Sequence, residues 1–194
     1  MLWIYRQGGD GKIDTQLATS RDGIRWTRVA NRATWLELRD EDGWKGGMVR
    51  SVERIIQRGD ELYIYYCGVH GAHTGPKHKK VLGTHPVQIG LLTQRRDGFV
   101  SRHAGKQPGT VQTRPFALRG ATLFLNPECS NDGAIEMEVL DDSGKVLATS
   151  RKVTGDGSRH RVEWAQGKMA PLRNRIVSLR FTLRDAHLYS YWVA

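Results

Sequence analysis

Two long interruptions, residues 30–47 and 68–86, break a chain otherwise written in short apolar runs. They hold most of the side chains able to do chemistry. Trp35, Asp40, Glu41, Asp42 and Trp44 fall in the first, Arg50 lies just beyond it, and His70 and His73 fall in the second. An indole ring offers an apolar face to the C–H side of a sugar, while carboxylates and a guanidinium hydrogen-bond its hydroxyls. These residues are the candidate substrate-binding set. The plainer alternative is that Trp35 and Trp44 pin their loop to the structure beneath it. His78 and His85 add two more imidazoles to the second stretch, but the His spacings match no zinc pattern and no carboxylate alternates with them. No metal and no cofactor are therefore expected.

Other groups are weaker signals. Glu53 sits mid-strand after Arg50 and could point toward a propeller axis, or could as easily pair with Arg54 or Arg58 on a solvated face. Pro127-Glu128-Cys129 sets an acid beside a thiol, but no partner carboxylate is patterned nearby. Trp164, Tyr189, Tyr191 and Trp192 could form an aromatic platform; alternation along Leu188–Val193 sends aromatic area to both faces, which favours packing. Cys67 and Cys129 make neither a disulfide framework nor a C-x-x-C motif, and read as free thiols.

The elements that must position these groups are strands. Period-2 alternation recurs over 2–6, 14–20, 24–29, 48–57, 61–67, 87–93 and 99–103. Arg21-Asp22-Gly23, Arg58-Gly59-Asp60 and Arg96-Asp97-Gly98 carry hairpin signals, because Gly accepts a positive φ. The segment Leu17–Ile24 is echoed by Leu91–Phe99, and Leu2-Trp3-Ile4-Tyr5 by Leu62-Tyr63-Ile64-Tyr65. A repeated strand meander is the sequence form of a β-propeller blade. The expectation is about two blades over 1–107, the first lacking its opening strand. Blade geometry would bring the loops 30–47 and 68–86 to one rim, where binding residues are expected. After Pro108-Gly109 seven short strands follow at regular spacing, and 108–194 reads as a β-sandwich of jelly-roll type. The chain is all-β.

Ser20-Arg21-Asp22-Gly23-Ile24-Arg25-Trp26 resembles the S-x-D-G-x-x-W hairpin of five-bladed-propeller glycoside hydrolases of the family 32/43 type. Gly59–Tyr66, Ile89-Gly90-Leu91 and Arg96-Asp97-Gly98-Phe99 resemble their closing blades, and Thr113–Phe116, Leu123–Asn126 and Leu183–Ser190 resemble the appended sandwich. The resemblance implies a glycoside hydrolase-like, carbohydrate-related protein whose chemistry would use two carboxylates. The N-D-P-N-G segment that carries the nucleophile in those families does not occur in this sequence, so no catalytic residue is assigned. The expectation is a catalytically incomplete glycosidase-like chain. The alternative is a non-catalytic carbohydrate-binding module using the sandwich or the long-loop rim.

Thirty Lys and Arg against 20 Asp and Glu give a formal charge of +10. The cations are scattered, with one denser stretch at Lys77–Lys80 and no nucleic-acid motif, so solvated surface is the reading and no nucleic-acid partner is expected. The excess still attracts acidic polymers weakly. No apolar run reaches the roughly 20 residues of a membrane helix, and no membrane partner is expected. Met1–Arg6 has no signal-peptide form, and the compartment is left open. The open blade edge and unpartnered apolar sides at Leu2, Ile4, Ile55, Ile64 and Leu91 predict a homo-oligomer or a partnering N-terminal propeller portion.

Overall fold

The computed structural model describes residues 1–5, 10–39, 43–73 and 87–194. They fall into two compact units, Met1–Gln94 and Arg95–Ala194, where the sequence suggests a boundary at residue 107. The regular structure described is β-strand apart from two short 3-10 turns.

The first unit holds β1 (Leu2–Tyr5), β2 (Ile13–Gln16), β3 (Ala18–Thr19), β4 (Thr27–Arg28), β5 (Thr34–Leu36), β6 (Met48–Ser51), β7 (Ile56–Arg58), β8 (Glu61–Val69) and β9 (Gln88–Arg95). Its main sheet runs β1-β2-β6-β8-β7, with β5 added on β2 and β9 on β8. Two antiparallel meanders thus share one sheet, joined where β2 and β6 meet in parallel at Ile13 and Met48. All four residues of β2 are buried, which is why Asp14, Thr15 and Gln16 show no alternation. Each of the three makes a side-chain hydrogen bond: Thr15 Oγ1 donates to Val49 O, Thr34 Oγ1 to Asp14 Oδ2, and Arg28 Nη1 to Gln16 Oε1. Ile13, Met48 and Val69 form one small core, and Leu36, Val49 and Tyr66 another. Of the apolar residues expected to lack partners, Leu2, Ile55 and Leu91 are exposed and Ile4 is half-buried, while Ile64 is fully buried, correcting its place among them.

The turn at Asp22-Gly23 is wider than the tight hairpin expected. Ala18 pairs with Arg28 and Thr19 with Thr27, leaving a seven-residue loop over 20–26. Asp22 Oδ1 accepts from the backbone N–H of Arg25 and of Ile24 and from Ser20 Oγ, and these bonds hold its carboxyl below the ordinary 3.8. Trp26 closes the loop by donating Nε1–H to Gly23 O at 3.1 Å. Gly23 has φ +73° with nothing within 4 Å of where a Cβ would stand, so a substitution there meets backbone strain and no clash. Gly23→Val is expected to cost about 1–2 kcal/mol in thermal unfolding. A melt identical to the parent's would show that the loop does not hold this conformation.

The second unit holds β10 (Arg102–Ala104), β11 (Gly109–Gln112), β12 (Phe116–Ala117), β13 (Leu123–Leu140), β14 (Val146–Ser150), β15 (His160–Arg161), β16 (Trp164–Gln166) and β17 (Ile176–Val193). Strand β10 does not form a hairpin with β9 across Asp97-Gly98; it pairs with β17. The four strands expected at 122–126, 134–140, 176–183 and 188–193 are two continuous 18-residue runs, β13 and β17, paired along most of their length. Both bend at one place. Cys129 faces Ala186 and Ala134 faces Arg184, so Ser130–Gly133 bulge opposite Asp185, whose φ is +42°. The rings of Phe181 and Tyr191 are 5.1 Å apart, whereas ten residues of straight strand span about 33 Å. The ribbon therefore folds back on itself, and the layers close on Leu118, Leu123, Leu125, Ile135, Leu179 and Phe181, all buried.

Candidate functional site

Of the candidate residues, Asp40, Glu41 and Asp42 lie outside the described residues, as do His78 and His85. Trp35 stands on β5 rather than in a loop and packs, half-buried, against the Leu36, Val49 and Tyr66 core. Trp44 stacks on Tyr66 with centroids 5.6 Å apart and planes at 17°, and Lys45 Nζ lies 5.7 Å from the Trp44 ring. Beneath Trp44 the chain passes at Gly68, where a Cβ would meet the indole at 2.5 Å. Both tryptophans are fixed by packing. His73 meets Tyr5 edge-on at 5.4 Å and its backbone N–H donates to Gly11 O, while His70 is exposed just after β8.

Arg50 differs from these. It lies on β6 with its guanidinium 5.7 Å from the centroid of the Trp3 ring on β1, and the two line a groove. Two adjoining depressions, each of about 500 Å³, share Trp3, Ser51, Val52 and Glu53; Met1 and Leu2 line one, and Arg50, Arg54 and Cys67 the other. The groove exists because β6 leaves its ladder. Ser51 pairs with Tyr66 and Val52 N–H donates to Tyr65 O, yet Tyr63 pairs with Ile56 where an unbroken register would bring Arg54. Two extra residues are thus inserted, and such bulges re-aim side chains. Here they bring Glu53 and Arg54 to the groove that Trp3 borders. Trp3 is 51% exposed, unusually open for so large an apolar side chain.

The sequence pattern offers Arg50 as a candidate of the long-loop rim and gives Trp3 no role beyond its strand. The signal was there: Val52-Glu53-Arg54 interrupts the apolar run of 48–57 with adjacent opposite charges. What pairs with that interruption across β2 is a matter of topology, which the sequence pattern does not state.

The second unit carries a denser polar cluster. His103, His187 and Glu128 stand opposite one another on β10, β17 and β13, and Asp156 bridges Glu128 on the far side. Asn126 pairs with Ser190 but Pro127 pairs with Leu188, so Tyr189 is the extra residue of a bulge. Its hydroxyl donates to Glu128 Oε2 at 2.6 Å. Arg95 donates to Pro127 O at 3.1 Å, pairs with Asp156, and lies 4.7 Å over the Tyr189 ring. Ser101 Oγ bonds His187 Nδ1 at 2.9 Å, and His187 stacks on His103 at 4.1 Å. Burial, then the hydrogen bond the hydroxyl donates to Glu128, holds the Tyr189 phenol above its ordinary 10.0. Burial first, with the Asp156 and Glu128 charges, raises the Cys129 thiol above 9.0, which disfavours thiolate chemistry. The groups satisfy one another, and the cluster reads as a clamp. The acid and thiol of Glu128–Cys129 belong to it.

The remaining aromatic candidates pack rather than form a platform. Trp192 stacks on Phe124 at 5.4 Å, Tyr191 leans on Phe181, and Trp164 packs against the core. Among the described residues no three His, Cys, Asp or Glu side chains are gathered to hold a metal ion. No helix among them is long and apolar enough to cross a membrane.

No family model and no curated protein matches the chain. A solved structure is similar at a distance: a glycoside hydrolase family 43 arabinoxylan arabinofuranohydrolase from Bacillus subtilis in complex with cellotetraose. It shares 12% identity at a TM-score of 0.30, over 97% of this chain and 49% of that one. The chain thus spans about half the length of that structure. The likeness is distant, at the level of fold, and its score carries neither activity nor ligand across.

Proposed function

We propose that this chain binds carbohydrate without cleaving it, in the groove bordered by Trp3, Arg50 and Glu53. The observation that supports this is the open indole of Trp3 set beside a guanidinium and a carboxylate in a concave surface. Sugar recognition uses this pairing, an apolar ring for the C–H face and charged or amide groups for the hydroxyls. Among the described lining residues Glu53 is the one carboxylate, and hydrolysis by the usual glycosidase route needs two. The resemblance of the Ser20–Trp26 hairpin and its companions to propeller glycosidases points the same way, toward a glycosidase-like scaffold used for binding.

The test is calorimetric titration of the full chain with cello-, xylo-, arabino- and galacturono-oligosaccharides. Binding to at least one is expected, with no product released over a day. Trp3→Ala is expected to weaken it about tenfold, the loss of roughly 1.4 kcal/mol of ring contact. Absence of binding across the panel, or a Trp3→Ala variant that binds like the parent, would overturn the reading.

A further inference from the structure

We infer that the sugar taken by this groove is anionic and carries a carboxylate, as the uronic acids do; the inference rests on the carbohydrate-binding reading above. Its basis is the state of Arg50. Among the described residues Arg50 has no carboxylate within ion-pair distance, and its Nε donor is buried without an acceptor. A guanidinium has five donors in a planar fork and is charged at any physiological pH. The Trp3 ring attracts the guanidinium but gives the buried Nε–H no oxygen acceptor, and a ligand carboxylate would supply one.

The surrounding charge agrees. The lining offers two guanidinium groups, Arg50 and Arg54, against the single carboxylate of Glu53. The whole chain carries +10, so an acidic polysaccharide is drawn toward it before any specific contact forms. Arg50 stands 5.7 Å from the Trp3 ring centroid, close enough for one sugar residue to meet both. Its ring would lie against the indole while its carboxylate faces the fork.

The experiment compares tetragalacturonate with its fully methyl-esterified form, which has the same backbone and no charge, and with xylotetraose. The full chain is expected to bind the acid at least tenfold tighter than the ester, and raising NaCl from 50 to about 300 mM should erode that margin. Arg50→Met should bring the acid down to the affinity of the ester. Glu53→Gln should tighten the acid about two- to threefold by removing a like charge. Lys106→Met, an exposed cation in the other unit, should leave the ratio unchanged and so exclude a mere effect of net charge. Equal affinities for acid and ester in the wild-type chain would overturn the inference while leaving carbohydrate binding intact. Failure of all three ligands to bind would count against both. Should Arg50→Met not fold, the wild-type ratio and Glu53→Gln still decide.

Discussion

Gly133→Ala is expected to destabilise the second unit by about 3 kcal/mol or more, although it adds a single methyl group. A Cβ at this position would stand 2.1 Å from the carbonyl oxygen of Asp185 and 2.9 Å from the backbone nitrogen of Ser130. Neither atom can step aside. Asp185 O accepts from Ser130 Oγ at 3.1 Å, Asp185 N–H donates to Gly105 O at 2.9 Å, and Asp185 already holds φ +42°. The corner where β13 and β17 fold back is therefore fixed from both sides, and the added carbon must open it. Opening it separates the layers that bury Ile135, Leu183 and Phe181. For a unit of this size, Arg95–Ala194, the loss corresponds to a fall in melting temperature of roughly 12 °C or more. Gly157→Ala is the control, since a Cβ there would meet nothing within 4 Å, and it should change stability by less than about 0.5 kcal/mol. A Gly133→Ala protein melting within a degree or two of the parent would show that the ribbon does not turn at this residue.

That corner also marks the limit of what the sequence pattern disclosed. Alternation locates most strands of both units because one buried face dictates apolar residues at every second position, and Val139, Met137 and Ile135 repeat on that rule. It could not show that 122–126 and 134–140 are one strand. The intervening Ser130-Asn131-Asp132-Gly133 has the composition of a turn, and whether such a stretch ends a strand or bends it depends on the partner opposite. Strand β5 was missed for a related reason: Thr34-Trp35-Leu36 is too short to establish a period, and its pairing with β2 comes from a distant segment. The candidate site followed suit. Arg50 was legible as a charge beside a strand signal, but Trp3 reaches it only because β2 lies between β1 and β6. Trp35 and Trp44 looked alike in sequence to a sugar-stacking ring, since an indole in a long polar stretch carries no mark of what covers it. Only the contact with Tyr66 and the absence of a side chain at Gly68 distinguish packing from display.

Arg95→Ala is expected to cost about 2–3 kcal/mol, more than an exposed ion pair usually contributes. The side chain is only 20% exposed and makes four contacts: the carbonyl of Pro127 at 3.1 Å, the Asp156 carboxylate, the Tyr189 ring at 4.7 Å and, at the limit of an ion pair, the Glu128 carboxylate at 4.0 Å. A charged hydrogen bond to a carbonyl contributes roughly 1.5 kcal/mol, a partly desolvated cation–π contact about 0.5–1, and a pair with Asp156, itself 62% exposed, about 0.5. Arg95→Lys keeps the charge but loses the planar fork and the stacking, and should recover less than half of the loss. A second readout separates this clamp from simple packing. Burial and the Glu128 hydrogen bond hold the Tyr189 phenol above 10.0, whereas the Arg95 cation pulls it the other way. Removing Arg95 should therefore raise the phenol further, seen at 295 nm as a titration that moves to higher pH and vanishes in Tyr189→Phe. The sign for stability follows from the raised value. The contribution of the protonated Tyr189 is complete below the unfolded phenol's pKa of about 10 and is lost as pH climbs through the higher folded value. Alkaline unfolding should accordingly draw on the Tyr189–Glu128 bond in the parent, and in Arg95→Ala that contribution should persist to higher pH even though the protein is less stable at neutrality. If Arg95→Ala melts like the parent and its tyrosine titration is unmoved, the guanidinium is a surface decoration and the clamp is not what holds these strands together.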